Sequence, residues 1–189
     1  ETNDFFTKDS QKIFYSGFIG GIVLLFCLYN ILNFILYKNK SYLIICAIAL
    51  SLSFYQYGFH GIFYFLNIGI NLELITAMTW NSSLFGGIFL LLFAFTLFEQ
   101  YSKYRKNAYL TLFFMFAYFL LVFLLIYAQF FDETYYKYTW IISLIVLLST
   151  LHLFMFAIYM VIKKEVASKY YILGEGILLV SVFFNTLGL

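Results

Sequence analysis

Polar side chains that could bind a ligand occur within two long apolar stretches of the sequence. Gln56 and His60 are four residues apart in SFYQYGFHGIFYF, a spacing that places both on one face of a helix. Tyr57 stands between them, and Trp80 and Asn81 follow at a similar depth in the next apolar stretch. Together these groups could line a ligand pocket near one membrane surface. The alternative is that they hydrogen-bond between helices and only hold the packing together.

Two further ionisable side chains lie inside apolar stretches. His152 falls near the middle of its stretch, and no Asp or Glu lies at the same depth. We therefore expect a hydrogen-bonded interior histidine there rather than a member of a proton relay. Glu175 stands between Gly174 and Gly176, and a carboxylate inside a membrane span is a functional candidate. It either couples helix movements or reaches the membrane interface, where a loop Lys could pair with it.

Motifs for catalysis and for cofactor or metal binding are absent from the sequence. There is no Gly-rich phosphate loop, no HExxH and no Cys/His ligand cluster, so we predict no enzyme activity, no cofactor, no metal site and no nucleic-acid partner. The two cysteines are Cys27 and Cys46. Counted along their helices, their depths differ by roughly 9 Å, which favours free thiols over a disulfide.

The composition requires lipid as the solvent for most of the chain. Of the 189 residues, 64% are hydrophobic and only 11% are charged, whereas a soluble domain has about 25% charged residues. Apolar runs of about 20 residues are long enough to cross a bilayer, and continuous runs are helices rather than barrel strands. We predict an all-α, polytopic membrane helical bundle with spans at 13–37, 42–66, 75–98, 108–131, 139–162 and 172–189.

Basic residues concentrate in alternate connections between the predicted spans. The connections after the first, third and fifth spans hold eight of the 11 Lys and Arg residues, and such connections stay in the cytoplasm. We therefore expect a multi-pass protein of the inner, cytoplasmic membrane, with its N-terminus and the juxtamembrane segment 1–12 outside. The sixth run is still apolar at Leu189, so we expect a seventh span that ends inside. The eight residues are Lys38, Lys40, Lys103, Arg105, Lys106, Lys163, Lys164 and Lys169.

Several motifs resemble one family, the bacterial seven-transmembrane receptors with diverse intracellular signalling modules. The first helix contains Leu28, Tyr29 and Asn30, and a short basic connection leads from it to Ser41, Tyr42 and Leu43. FAFTLFEQY at the end of the third run and ASKYYILGEGILL at the start of the sixth are also similar to the family. At Glu175, within that last motif, the family usually has an apolar or aromatic residue.

The resemblance implies seven helices, an external sensory domain and a cytoplasmic output domain in the same parent chain. We therefore predict the transmembrane module of a bacterial receptor, which relays an external stimulus inward and has membrane lipid and those two domains as partners. Receptors of this kind commonly work as homodimers. A small transporter or channel is the rival, although the sequence shows no inverted repeat. The resemblance makes Asn30 a motif residue, and we predict that its amide clamps the first helix to the second.

Overall fold

The computed structural model describes residues 2–59, 72–131 and 139–165, together with Ser168 and Tyr171. These residues contain no strand and confirm the predicted all-α class. The helices of the described residues are α1 (Thr2–Tyr37), α2 (Ser41–Phe59), α3 (Leu72–Leu97), α4 (Gln100–Lys103), α5 (Arg105–Phe131) and α6 (Thr139–Ile162). Five of them, all except the short α4, are long and apolar enough to cross a membrane.

The predicted spans agree with these helices to within a few residues in most places. The fifth predicted span, 139–162, has the bounds of α6, and the third and fourth each lie within three residues of α3 and α5. The second begins one residue after α2 does, and its residues 60–66 lie outside the described residues. The sixth, 172–189, also lies outside them.

Helix α1 is longer than the span that the sequence predicts. It has 36 residues, about 54 Å at helical rise, whereas the hydrocarbon core is about 30 Å thick. Its apolar, membrane-crossing part is Gly17–Tyr37. From Thr2 onward, the predicted juxtamembrane segment is therefore a continuation of the same helix. No Pro or Gly occurs between residues 2 and 16 to interrupt it.

Three long helices end at charged residues in the left-handed conformation. Lys38, Glu99 and Lys164 have φ angles of 55°, 45° and 62°, and they directly follow the last turns of α1, α3 and α6. At the end of α6, the Lys164 N–H donates to the Val161 carbonyl at 2.9 Å and the Glu165 N–H to that of Met160 at 3.2 Å. This is the Schellman pattern, which usually has Gly at the left-handed position.

The chain divides into two compact units, Glu1–Leu90 and Leu91–Leu189. In the first unit, α1 packs along α2 where two cysteines face each other. The Cys46 thiol donates to the Cys27 carbonyl at 3.4 Å, and the Cys27 sulfur lies 4.0 Å from the Cys46 carbonyl oxygen. Both thiols are free, as predicted. The predicted difference in membrane depth between Cys27 and Cys46 is wrong. It was counted from the ends of the two predicted spans, which assumes that both helices end at the same depth and cross the membrane without tilt.

Glycines bring neighbouring helices of the first unit close together. A β-carbon at Gly20 of α1 would collide with the hydroxyl of Tyr57 from α2. A β-carbon at Gly58 of α2 would lie 2.7 Å from Cβ and 2.8 Å from Cγ2 of Thr79 in α3. The missing side chains therefore provide the space in which Tyr57 and Thr79 pack.

Candidate functional site

A chain of buried polar side chains crosses the second unit. The Thr111 hydroxyl of α5 donates to the Gln100 Oε1 of α4 at 2.8 Å. The Thr111 hydroxyl oxygen also lies 3.1 Å from the Nε2 of His152 in α6. Gln100 and Thr111 are fully buried. The prediction of a hydrogen-bonded interior histidine at position 152 is confirmed. Three helices of this unit are thus joined by one polar contact chain.

The Thr111 hydroxyl is common to both hydrogen-bond contacts of this chain. A Thr hydroxyl has one hydrogen and two acceptor lone pairs. Thr111 gives its hydrogen to Gln100, and the direction of its contact with the His152 Nε2 depends on the tautomer of the ring. The Nε2 amide nitrogen of Gln100 is buried, and no described residue accepts a hydrogen bond from it. A buried donor of this kind leaves capacity for a further contact.

Packing around the polar chain is largely aromatic. The Phe114 ring lies 5.5 Å from the His152 ring. Phe156 makes edge-to-face contacts with Phe98 and Tyr104, at centroid distances of 5.5 and 5.7 Å. Such contacts are a favourable geometry for aromatic pairs. One turn before His152 in α6, Ser149 shares a second buried hydrogen bond of 2.9 Å with Tyr118 of α5.

A cavity of about 640 Å³ lies at the end of the second unit where α5 begins. His152 belongs both to its wall and to the buried polar chain. Three basic residues and an amide line it from the end of α4 and the start of α5, opposite apolar and aromatic residues. The lining residues are Lys103, Tyr104, Arg105, Lys106, Asn107, Leu110, His152, Met155, Phe156 and Tyr159. The cavity therefore joins a cationic rim to an apolar wall.

The charges at this rim are only partly compensated. Lys103 pairs with Glu99 one turn earlier, at 3.2 Å between Nζ and Oε2. That hydrogen bond, with the Glu99 charge, raises the pKa of Lys103 above its ordinary value. No described residue forms an ion pair with Arg105 or Lys106. Because both side chains are exposed, they give the rim a net positive charge.

The predicted ligand pocket involves residues of the first unit. Gln56 is exposed, whereas its neighbour Tyr57 is half-buried and lies over Gly20 of α1. Trp80 and Asn81 are half-buried in α3. Consecutive residues point about 100° apart on a helix, so Gln56 and Tyr57 lie on different faces of α2 even though they share a depth. The remaining pocket residue His60 lies outside the described residues, as does the candidate Glu175.

The first two family motifs lie in the hairpin formed by α1 and α2. The Asn39 Oδ1 accepts the Ser41 N–H at 3.0 Å, which caps the start of α2. The Tyr37 and Tyr42 rings lie 6.3 Å apart across the turn, next to the left-handed Lys38. The remaining motif residues Leu28, Tyr29 and Leu43 are exposed.

Asn30 is buried but makes a different hydrogen bond from the one predicted. Its side chain is 4% exposed, and its Nδ2 donates to the Phe26 carbonyl at 2.9 Å. This bond stays within α1 and does not reach α2. In a helix, a short polar side chain can reach the backbone carbonyl one turn earlier. The Phe26 carbonyl therefore accepts the hydrogen bond of the Asn30 amide nitrogen without any contribution from α2.

Sequence reasoning missed the residues that the second unit brings together. Gln100, Asn107 and Thr111 were not singled out, because a polar residue at either end of an apolar run is typical of a loop. Glu99, in the left-handed conformation, turns the chain into α4, and as the first residue of α4 Gln100 is buried in the interior of the second unit. Only His152 carried a usable signal, since a histidine inside a span needs a partner.

Five long apolar helices and a buried polar chain define a multi-pass membrane protein. The model of the family described as 7TM diverse intracellular signalling matches residues 12–189. The chain belongs to this family, as its motifs indicated, and is the family's transmembrane region over nearly its whole length. No curated protein and no solved structure matches it.

Proposed function

We propose that this chain is the transmembrane relay of a receptor, which carries an external stimulus to a cytoplasmic output domain of the same parent chain. The observation that carries the proposal is the family match over residues 12–189. A helical bundle can relay a stimulus when it has two packings and the stimulus favours one of them. The chain itself then needs no catalytic residue, and we propose none.

The charge distribution supports an orientation with the N-terminus outside an inner membrane. The three most basic connections all follow spans that would run inward, as the positive-inside rule requires. In this orientation, the part of α1 before Gly17 extends outward as helix. An external sensory domain connected to it would act directly on the first span.

The buried polar chain of Thr111, Gln100 and His152 is the part of the bundle that we propose to rearrange between the two helix packings. Thr111 holds Gln100 and His152 through a single oxygen atom. A small shift of α5 could exchange these bonds for others, such as one from the unpaired amide nitrogen of Gln100. Alternative hydrogen-bond sets of this kind give discrete rather than graded states.

Membrane lipid and the two attached domains are the partners in this proposal, and nucleic acid is not one. A second copy of the chain is a further partner. The surface of α1 at Gly17 and Gly21 is open among the described residues, since none of their atoms lies within 4 Å of a β-carbon added there. Small residues at such a surface allow another helix to approach closely.

The experiment that tests the relay uses the full-length parent protein in membranes. Its sequence beyond Leu189 should contain a seventh span and a cytoplasmic output domain. Replacing Gln100 by Leu should change the basal output activity by about fivefold or more, since couplings between sites are typically about 1–3 kcal/mol. Thr96→Val is the matched control, because the exposed Thr96 bonds only to carbonyls of its own helix.

Two results would contradict the relay. One is a parent chain with no cytoplasmic domain, and the other is an output activity that Gln100→Leu leaves unchanged. Solute uptake by vesicles that contain only this chain would instead support the transporter. The uptake assay needs no output domain, so it separates the two functions.

A further inference from the structure

We propose that the cavity at the start of α5 binds a lipid-soluble quinone, one carbonyl of which accepts a hydrogen bond from His152. The site belongs to the second unit alone. Binding does not depend on the relay, and only its consequence for an output domain rests on the proposed function.

The second ring nitrogen of His152 is the first reason. The Nε2 contacts Thr111, whereas the Nδ1 has no hydrogen-bond partner among the described residues. Unlike the amide nitrogen of Gln100, it is not fully buried. The half-buried ring lines the cavity. Because a neutral imidazole carries its proton on either nitrogen, an acceptor in the cavity can take a hydrogen bond from Nδ1–H.

The depth of His152 favours an uncharged acceptor. Counted back from Ile162, the last residue of α6, it lies about 15 Å along the helix. Arg105 and Lys106 stand at the rim, before Thr111 in the chain. A charged ligand group would stay at this rim, because moving it inward would cost its hydration and its contact with the two cations. A carbonyl oxygen accepts the same hydrogen bond without that cost.

The wall next to His152 suits a planar ring. Tyr104 contacts Phe156 and Tyr159 edge to face, at centroid distances of 5.7 and 6.0 Å, and all three line the cavity together with Leu110 and Met155. Aromatic side chains pack favourably against a planar ring, and about 640 Å³ is within the range of small-molecule pockets. A quinone combines a planar apolar ring with carbonyl acceptors, and its tail dissolves in lipid.

A ligand at Nδ1 also changes the buried polar chain. With the proton on Nε2, His152 donates to Thr111 while Thr111 donates to the Gln100 Oε1. A carbonyl at Nδ1 selects the other tautomer, in which Nε2 accepts the single hydrogen of Thr111. The Gln100 amide, whose nitrogen is without an acceptor among the described residues, can then turn and donate to the Thr111 oxygen. Each arrangement has two hydrogen bonds, so the ligand decides between them.

The binding test uses the full chain in phosphatidylcholine nanodiscs, with decylubiquinone as the probe. Native mass spectrometry counts bound molecules as the probe concentration rises. Decylbenzene has no carbonyl, and decanoate has a carboxylate in place of the quinone ring. We expect saturable binding of one decylubiquinone per chain and at least about fivefold weaker binding of both other compounds.

Three variants separate this cavity from general partitioning into lipid. His152→Leu removes the donor and should weaken binding by about threefold or more. Met155→Trp fills the cavity from an exposed position in its wall and should weaken binding by about tenfold or more. Leu151→Trp is the matched control, one turn earlier in α6, exposed and outside the wall. It should change binding by less than about twofold.

The tautomer is measured on the same nanodiscs by solid-state NMR with ¹⁵N-labelled histidine. The chain has two histidines, and His60→Asn leaves the signals of His152 alone. Protonated and bare ring nitrogens have different ¹⁵N shifts. We expect decylubiquinone to move the proton to Nδ1 and decylbenzene to leave the spectrum unchanged.

Four outcomes would overturn the proposal: binding that never saturates, decanoate binding as tight as that of the quinone, equal losses in the two Trp variants, or an unchanged tautomer. Full binding by His152→Leu would also overturn it. If that variant fails to fold, the two Trp variants still decide. Because every readout uses the chain without an output domain, a negative result says nothing against the relay, and a failed relay leaves the binding result standing.

Discussion

At the scale of single residues, Thr111 carries the most consequential contact of the second unit. Its hydroxyl donates to Gln100 and also lies within hydrogen-bond distance of the His152 Nε2, so one group contacts a buried and a half-buried partner. In lipid, no water is available to replace a lost partner. The cost of removing this hydroxyl therefore falls on the groups left behind as well as on Thr111 itself.

We expect Thr111→Val to lower the free energy of unfolding by about 1–2 kcal/mol, since the shape is retained while Gln100 and His152 each lose a partner. Reversible unfolding in mixed detergent micelles measures this change. The control is Thr96→Val, which should stay within about 0.5 kcal/mol because Thr96 is exposed. Equal effects from the two variants would show that the Thr111 hydroxyl has no special role.

At the scale of helices, the spans could be predicted, but the faces along which the helices pack could not. A run of apolar residues long enough to cross a bilayer has few alternatives to a helix, which is why 139–162 was predicted with the bounds of α6. Which residues face each other depends on tilt and close approach. Cys27 and Cys46 show this, because counting residues separated two thiols that lie together.

At Gly58, α2 lies so close to Thr79 of α3 that we expect a larger residue there to destabilise the contact between the two helices. A methyl group in Gly58→Ala would overlap the Thr79 side chain, and we expect a loss of about 1–3 kcal/mol of stability from overpacking. Micellar unfolding again provides the measurement. Gly17→Ala is the matched control, because a β-carbon there meets no atom of the described part of the chain within 4 Å; it should be neutral or slightly stabilising.

A second substitution shows whether Gly58→Ala lowers stability through steric overlap with Thr79 or through the loss of glycine's backbone freedom. Thr79→Ala removes the atoms that the new methyl group would meet. In the double variant we therefore expect part of the lost stability to return, which gives a favourable coupling energy. If the two single effects simply add, the close contact between Gly58 and Thr79 is not what the glycine provides.

For the whole molecule, composition and charge determine more than any single motif does. The low charged fraction predicted the membrane class, and the motifs of the first hairpin predicted the family. Neither could locate the cavity at α5, because its residues come from separate parts of the sequence and are polar where loops usually are. The length of α1 also escaped prediction, since hydropathy reports the apolar part of a helix and not its polar extension.

The orientation proposed from the charge distribution can be tested on the intact protein. In a background with Cys27→Ser and Cys46→Ser, we expect Asn3→Cys to react with a membrane-impermeant maleimide in intact cells. Lys40→Cys, in the exposed basic connection after α1, should react only after the cells are permeabilised, because basic connections are retained inside. The permeabilised sample also shows that each thiol is reactive. Labelling of Lys40→Cys in intact cells would place the basic connections outside, and the cavity at α5 would then face away from any cytoplasmic partner.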